Sequence, residues 1–208
     1  MPELNSTLHL DMLRGARART PDATNAIYGL HWGDPDDAGP LRIVRDRWLY
    51  PYIRPDHAAL EIGPGGGRWT RYLLSFGRVV CVDYHQELLN ELSKNYRAPH
   101  LELVRNHGAD LPGIAPASID FVFSFGVFVH LDAPIRNAYL TAIKEVLSPG
   151  GCAVVQYSDK TKAAARASKG FAENTPDAMR RDVTAAGFTI LEENLTLLPH
   201  SAIMRFAL

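Results

Sequence analysis

The sequence predicts an α/β fold: a mostly parallel sheet of seven strands with helices on both faces, finished by an antiparallel hairpin. Three observations carry that expectation. From residue 58 onward short apolar runs alternate with helical stretches, the pattern of a parallel sheet covered on both sides. The first run ends in a glycine-rich turn, Gly63-Pro64-Gly65-Gly66-Gly67, that opens into a helix. The last two apolar runs are joined by a short turn around Pro199, so they pair antiparallel.

Each element has its own signal. Residues 6–18 carry Leu8, Leu10, Met12 and Leu13 at amphipathic spacing and predict a short helix. Residues 19–40, rich in Pro, Asp, Gly and Asn, read as a loop with turns. Pro40 opens a second helix through Trp48, Leu49 and Tyr50 that stops near Pro51. Strands follow at 58–62, 78–82, 101–104, 119–123 and 152–157, with helices near 67–76, 85–96 and 133–147 between them. The helix at 133–147 ends in Leu147-Ser148-Pro149-Gly150-Gly151, a stop and a turn into the next strand. A helix near 176–186 ends at Gly187, and the strands 188–195 and 201–207 follow. Trp48 and Trp69 fall on helical faces and read as packing. The 208 residues fit one domain, in which 1–57 supply N-terminal helices and a lid loop and 58–208 form the core.

Composition narrows the function. The formal net charge is −1, whereas a nucleic-acid-binding domain carries a basic patch and a high isoelectric point. The arginines at 14, 17, 19, 42, 45 and 47 are interleaved with Asp46 and read as a solvated helix face. Cys81 and Cys152 stand alone inside apolar strands, which excludes a disulfide framework and a metal cluster. The N-terminus lacks a signal-peptide pattern, and the longest apolar run, 119–131, has about 13 residues where roughly 20 span a bilayer. The expectation is a cytoplasmic protein, monomer or homodimer, with a small-molecule partner and neither nucleic acid nor membrane.

The glycine turn carries the chemistry. In Leu60-Glu61-Ile62-Gly63-Pro64-Gly65-Gly66-Gly67 the alternate glycines let the backbone turn sharply and approach a ligand without a Cβ in the way. The helix behind points its N–H groups at that ligand. Asp83, twenty residues after Gly63 at the end of the second strand, is placed to accept hydrogen bonds from ribose hydroxyls. A dinucleotide site shares both features but wants Gly or Ala five residues after the first glycine, and Arg68 stands there.

The spacing Gly63-x-Gly65-x-Gly67 with Glu61 ahead of it, together with Asp83 and the antiparallel tail, resembles the class I S-adenosylmethionine-dependent methyltransferases, which have a Rossmann-like fold. The resemblance extends over nearly the whole chain. It implies that Glu61 meets the amino-acid end of S-adenosylmethionine and that Gly63, Gly65 and Gly67 back the ligand. It implies that Asp83 takes the ribose and Tyr84 lies against adenine. Asn106 stands where the family usually has an acid near the adenine amino group, and Phe125 ends the fourth strand, which lines the methionine part. The Asp/Asn-Pro-Pro-aromatic tetrad of adenine N-methyltransferases would fall at Ser124-Phe125-Gly126-Val127 and is absent, a further argument against nucleic acid.

On the acceptor side, His130 lies just past the fourth strand, at the carboxyl ends where sheets of this kind react. A neutral imidazole there can take the proton of an attacking hydroxyl, or it can simply pack. His31 and Trp32 in the aromatic loop segment Tyr28–Asp34, Tyr157 at the end of the fifth strand, and His200 are candidates for holding the acceptor. Asp159 is a candidate for a divalent cation such as Mg or for a sugar hydroxyl, against the alternative of a solvated turn residue beside Lys160. No motif supports the metal. The tryptophan-bearing loop and the tail Pro199-His200-Ser201-Ala202-Ile203-Met204-Arg205-Phe206 resemble actinobacterial sugar O-methyltransferases of the methylmannose polysaccharide type, which implies O-methylation of a sugar or related metabolite. Two other readings stay open: a nicotinamide-dependent oxidoreductase, and a cofactor-binding regulator without catalysis.

Overall fold

The structure is a computed structural model and describes residues 27–37 and 39–208. The helix expected at 6–18 and residues 19–26 and 38 of the expected loop lie outside the described residues. The strands are β1 (Ala58–Ile62), β2 (Arg78–Asp83), β3 (Leu101–Arg105), β4 (Ile119–Ser124), β5 (Leu147–Ser158), β6 (Thr189–Asn194) and β7 (Ser201–Ala207). They form one seven-stranded sheet in the order β3-β2-β1-β4-β5-β7-β6. All pairs are parallel except β5 with β7 and β6 with β7. This is the mostly parallel sheet with an antiparallel end that the pattern of runs and turns predicts.

Side chains alternate across the strands, and each set finds its own cover. Leu60, Ile62, Val80, Val82 and Val122 face one side, where they pack with Tyr139, Leu140 and Ile143 of α4 (Ala133–Val146) and Met179 and Val183 of α6 (Pro176–Ala185). Ala59, Val79, Cys81, Phe121 and Phe123 face the other side and meet Val44 of α1 (Pro40–Val44), Trp48, Trp69 and Leu73 of α2 (Thr70–Leu73). Continuous apolar runs are what a sheet buried on both faces requires. Trp48 and Trp69 are buried as packing residues. The sheet order reverses between β1 and β4, since β2 and β3 run to one side and β4 and β5 to the other. The carboxyl ends of β1 and β4 therefore flank a crevice, the usual ligand position in an open α/β sheet.

Three elements differ from the sequence expectation. The helix expected at 67–76 is helical only over Thr70–Leu73, because Gly65 and Gly67 hold φ of +58° and +101° and the chain leaves the left-handed region only afterwards. The segment Leu147–Gly151 is part of β5 rather than a turn: Leu147 pairs with Ile119, the register shifts, and Cys152 pairs with Phe121. Ser148 ties the irregular stretch to the sheet by donating to Asp120 Oδ1 at 2.7 Å. The helix opened by Pro40 continues as a π-helical turn at Arg45–Leu49 and a 3₁₀ turn at Tyr50–Tyr52, tightening where Pro51 removes a backbone donor. The short α3 (Gln86–Asn95) follows β2 as expected, and α5 (Ala163–Ala167) is an addition.

Candidate active site

The glycine turn sits at the mouth of the β1–β4 crevice. Gly63 has φ +73°, and a Cβ there would lie 2.0 Å from Val127 Cγ2, so only glycine lets the turn pass under the loop after β4. The Gly63 N–H donates to Val82 O at 2.8 Å, which ties the turn to β2. The Gly66 N–H donates to Tyr28 O at 3.1 Å, and the Tyr28 ring lies on Gly65. Burial and the nearby Asp83 charge push the Tyr28 hydroxyl well above its ordinary value. Tyr28 thus runs from the glycine turn toward the acid at the end of β2.

Asp83 is buried at that strand end, and its Oδ1 accepts from the His85 N–H at 2.9 Å and faces the ring Nδ1 at 3.2 Å. Tyr84 beside it is exposed, with its ring edge-on to His85. Glu61 is 2% exposed and accepts from the Thr70 hydroxyl at 2.5 Å and from Cys81 Sγ at 3.6 Å, both on Oε2. Burial pushes the Glu61 carboxyl up to about 7, against the hydrogen bonds from Thr70 and Cys81. Phe125 leaves β4 beside Trp69, their ring centres 4.9 Å apart. Glu61, Gly63, Gly65, Gly67, Asp83, Tyr84 and Phe125 therefore all gather at the carboxyl ends of β1, β2 and β4.

Asn106 does not present itself in the same way. It is fully buried, and its Nδ2 donates to Tyr139 Oη at 2.7 Å, Gly108 O at 3.1 Å and Asp110 O at 3.2 Å. Its donor closes the 106–110 turn and anchors α4, which leaves the amide held inside the protein rather than turned to an adenine ring.

His130 ends a 3₁₀ turn, Phe128–His130. Its Nδ1 lies 2.6 Å from Gly170 O, and a carbonyl only accepts, so the proton is on Nδ1 and the basic lone pair on Nε2. Burial lowers the His130 pKa below the usual histidine value, with the Gly170 bond opposing in part. The Phe171 ring stands edge-on between His130 at 5.4 Å and His200 at 5.2 Å. Burial, and then the Lys162 charge, keep His200 low as well. The result is a row of two neutral imidazoles with a phenyl ring between them, next to the crevice. His31 and Trp32 stack at 3.9 Å, and Trp32 meets Tyr28 at 5.4 Å. Trp32 is 46% exposed, so it is no core anchor.

Two acceptor-side candidates fall elsewhere. Tyr157 is fully buried on the face shared with Ala153 and Val155, and its hydroxyl donates to Glu193. Strand parity turns it into the core, away from any ligand. Asp159 is buried, not a solvated turn residue: its Oδ1 accepts from the Thr161 N–H at 3.1 Å and hydroxyl at 2.6 Å, and Oδ2 faces Lys162 Nζ at 3.7 Å. Among the described residues no three His, Cys, Asp or Glu side chains come together to hold a metal ion. Two participants escape sequence reasoning. Phe171 lies in an irregular loop without periodicity, and Gln156 accepts the Gly126 N–H at 2.7 Å, fixing the turn before His130.

Comparison with known proteins bears on the fold. The fold is that of the class I S-adenosylmethionine-dependent methyltransferases. An S-adenosylmethionine-dependent methyltransferase from Mesorhizobium loti superposes with a TM-score of 0.68 at 14% identity, covering 82% of this chain and 98% of that one. One from Clostridium acetobutylicum gives 0.68 at 13%, covering 86% and 96%. The glycopeptide N-methyltransferase MtfA complexed with S-adenosylmethionine gives 0.62 at 16%, covering 84% and 90%. Residues 59–151, the glycine turn through the start of β5, match the family model described as a methyltransferase domain. A protein named "Probable ribosomal RNA small subunit methyltransferase A" from Methanopyrus kandleri is 42% identical over 55 residues, which are 26% of this chain and 20% of that protein.

The glycines at 63 and 65 give the turn room against the protein itself, since a Cβ would lie 2.0 Å from Val127 Cγ2 at one and 3.2 Å from the Tyr28 ring at the other. The turn lies between a buried acid at β1 and another at β2, the part of the site that suits the amino-acid end and ribose of S-adenosylmethionine.

Proposed function

We propose that the chain is an S-adenosylmethionine-dependent methyltransferase that methylates a hydroxyl of a small molecule, a sugar or related metabolite. The observation that carries the hydroxyl is His130: buried beside the crevice, neutral, with its proton fixed on Nδ1 by Gly170. When bound, S-adenosylmethionine supplies an electrophilic methyl group on a sulfonium. In this reading Asp83 accepts from the ribose hydroxyls, the glycine turn and Phe125 back the methionine part, and Tyr84 covers adenine. Glu61 offers its carboxylate to the ammonium. His130 Nε2 takes the proton of the acceptor hydroxyl as its oxygen attacks. Positioning and exclusion of water supply much of the rest of the barrier reduction.

A sugar suits the acceptor side, where Phe171 and Trp32 offer ring faces for C–H groups and His200 offers a polar partner. Tyr28, His31 and Trp32 would form the inner edge of a lid made by the loop at 19–40. The chain's net charge of −1 argues against an RNA acceptor such as the name of the Methanopyrus relative implies. The glycopeptide N-methyltransferase shares the fold, so an amine is the alternative acceptor atom. The test is turnover with S-adenosylmethionine and a panel of saccharides, phenols, amines and RNA, with the methylated atom located by mass spectrometry and NMR. Methyl ether formation on a saccharide supports the reading. Transfer only to amines or RNA overturns the hydroxyl assignment. Cofactor binding with no transfer to any acceptor would leave a regulatory binder.

A further inference from the structure

Arg68 follows directly on the last glycine of the turn and is 6% exposed. Its guanidinium lies over Trp69 at 5.6 Å and over Phe125 at 5.5 Å from the ring centres. The other buried cation among the described residues, Arg136, is matched by Asp182 and by Leu131 O. Among the described residues Arg68 has no hydrogen bond and no ion pair. Neither of the two acids closest in electrostatic terms pairs with it: Glu61 accepts from Thr70 and Cys81 on Oε2 alone, and Asp34 is paired with Arg71. Burial lowers the Arg68 pKa only to about 10, so it stays charged at neutral pH. None of the Arg68 nitrogens is among the fully enclosed polar atoms that lack a partner, so its N–H groups still open to solvent and are available to an anion that enters there. Two aromatic rings hold its plane without using any of its N–H donors.

We propose that Arg68 binds the α-carboxylate of the methyl donor, a deepening that rests on the methyltransferase reading above. The donor's amino-acid end is a zwitterion, and the turn offers it an acid at Glu61 and a base at Arg68, both on the sheet face that carries Cys81 and Trp69. The planar fork of a guanidinium matches a carboxylate with two parallel hydrogen bonds. The His130 turn belongs to the opposite face, where Phe128 packs, so an acceptor at His130 approaches from the other side of Phe125. Gly29 lies on the stem of Arg68, where a Cβ would be 3.5 Å from the Arg68 Cβ, so the Tyr28–Gly29 segment covers the ion pair once it forms.

Calorimetry on the full chain tests this with two ligands: S-adenosylhomocysteine and its decarboxylated analogue, which keeps the adenosine, sulfur and amine. Arg68→Met retains the apolar stem and removes the charge; Arg68→Lys keeps a charge without the fork. For wild type, S-adenosylhomocysteine should bind at least about tenfold more tightly than the analogue. Arg68→Met should weaken S-adenosylhomocysteine by about 10–100-fold and leave the analogue within about twofold, with Arg68→Lys between, the usual span for charge-assisted bonds. If Arg68→Met does not fold, as judged by its thermal transition, the lysine variant carries the same comparison. Equal weakening of both ligands, or none, overturns the proposal while leaving the methyltransferase reading intact. So does an effect confined to the KM of an acidic acceptor, which would place the carboxylate on the acceptor. Wild type that binds neither ligand overturns the donor reading itself.

Discussion

Replacing Glu61 by Gln is expected to stabilise the protein at neutral and alkaline pH, and far less at pH 5. Burial holds the Glu61 carboxyl at about 7 in the fold, against 4.5 ordinarily. Between those values the folded chain keeps a proton that the unfolded chain releases, so stability falls as pH rises through that window and stays reduced above it. At ~1.4 kcal/mol per pH unit the shift is worth up to about 3 kcal/mol at pH 8. Gln has the shape of the protonated acid and cannot ionise, so it removes that penalty while still accepting from the Thr70 hydroxyl. The assay is thermal unfolding of both proteins at pH 5 and pH 8. A chain of this size gains roughly 2–4 °C per kcal/mol, so the variant should melt roughly 6–12 °C higher at pH 8 and only about 2–3 °C higher at pH 5. An equal shift at both pH values, or a loss at pH 8, would refute the argument that desolvation of a charge sets the effect. Binding should move in the opposite direction, because the variant no longer offers a carboxylate to the donor's ammonium.

Asp83→Ala should weaken S-adenosylhomocysteine binding by about 10–100-fold in calorimetry, the span of charge-assisted bonds to two hydroxyls, with the melting temperature nearly kept. His130→Ala should lower turnover by about 10²–10⁴-fold while donor affinity is unchanged. Because burial lowers the His130 pKa and a base acts only when unprotonated, wild-type turnover should fall on the acid side through a midpoint below 6.5 and be flat above neutrality. Gly63→Ala puts a Cβ 2.0 Å from Val127 Cγ2 at a positive φ. It should cost at least about 1–2 kcal/mol in denaturant unfolding, part of it recovered by adding Val127→Ala.

The sheet was legible because both of its faces are buried, so the strands read as unbroken apolar runs. The sequence bounds for β1 and β7 coincide with those observed. The glycine turn and Asp83 were legible because a tight turn and a strand-end acid each demand particular residue types. Other features depend on pairings that no local pattern carries. The Ser-Pro-Gly-Gly stretch before Cys152 has turn composition, yet Leu147 pairs with Ile119 and Ser148 with Asp120, which holds it in the sheet. Tyr157 follows the run that ends near the crevice, but parity with Ala153 and Val155 decides its face. Asn106 sits at the right strand end, and the Tyr139 hydroxyl, 33 residues on, takes its amide. Phe171 reaches His130 from an irregular segment 41 residues later, with no periodicity to announce it. Arg68 was in view as a departure from the dinucleotide fingerprint; its burial and missing partners needed the fold.

What fills the crevice between β1 and β4 decides the chemistry of this protein. Calorimetric titration of the full chain with S-adenosylhomocysteine and, separately, with NADH decides it. The account predicts saturable one-to-one binding of S-adenosylhomocysteine that Asp83→Ala weakens, and no heat with NADH beyond dilution. Binding of NADH, or no binding of S-adenosylhomocysteine by folded wild-type protein, would contradict it.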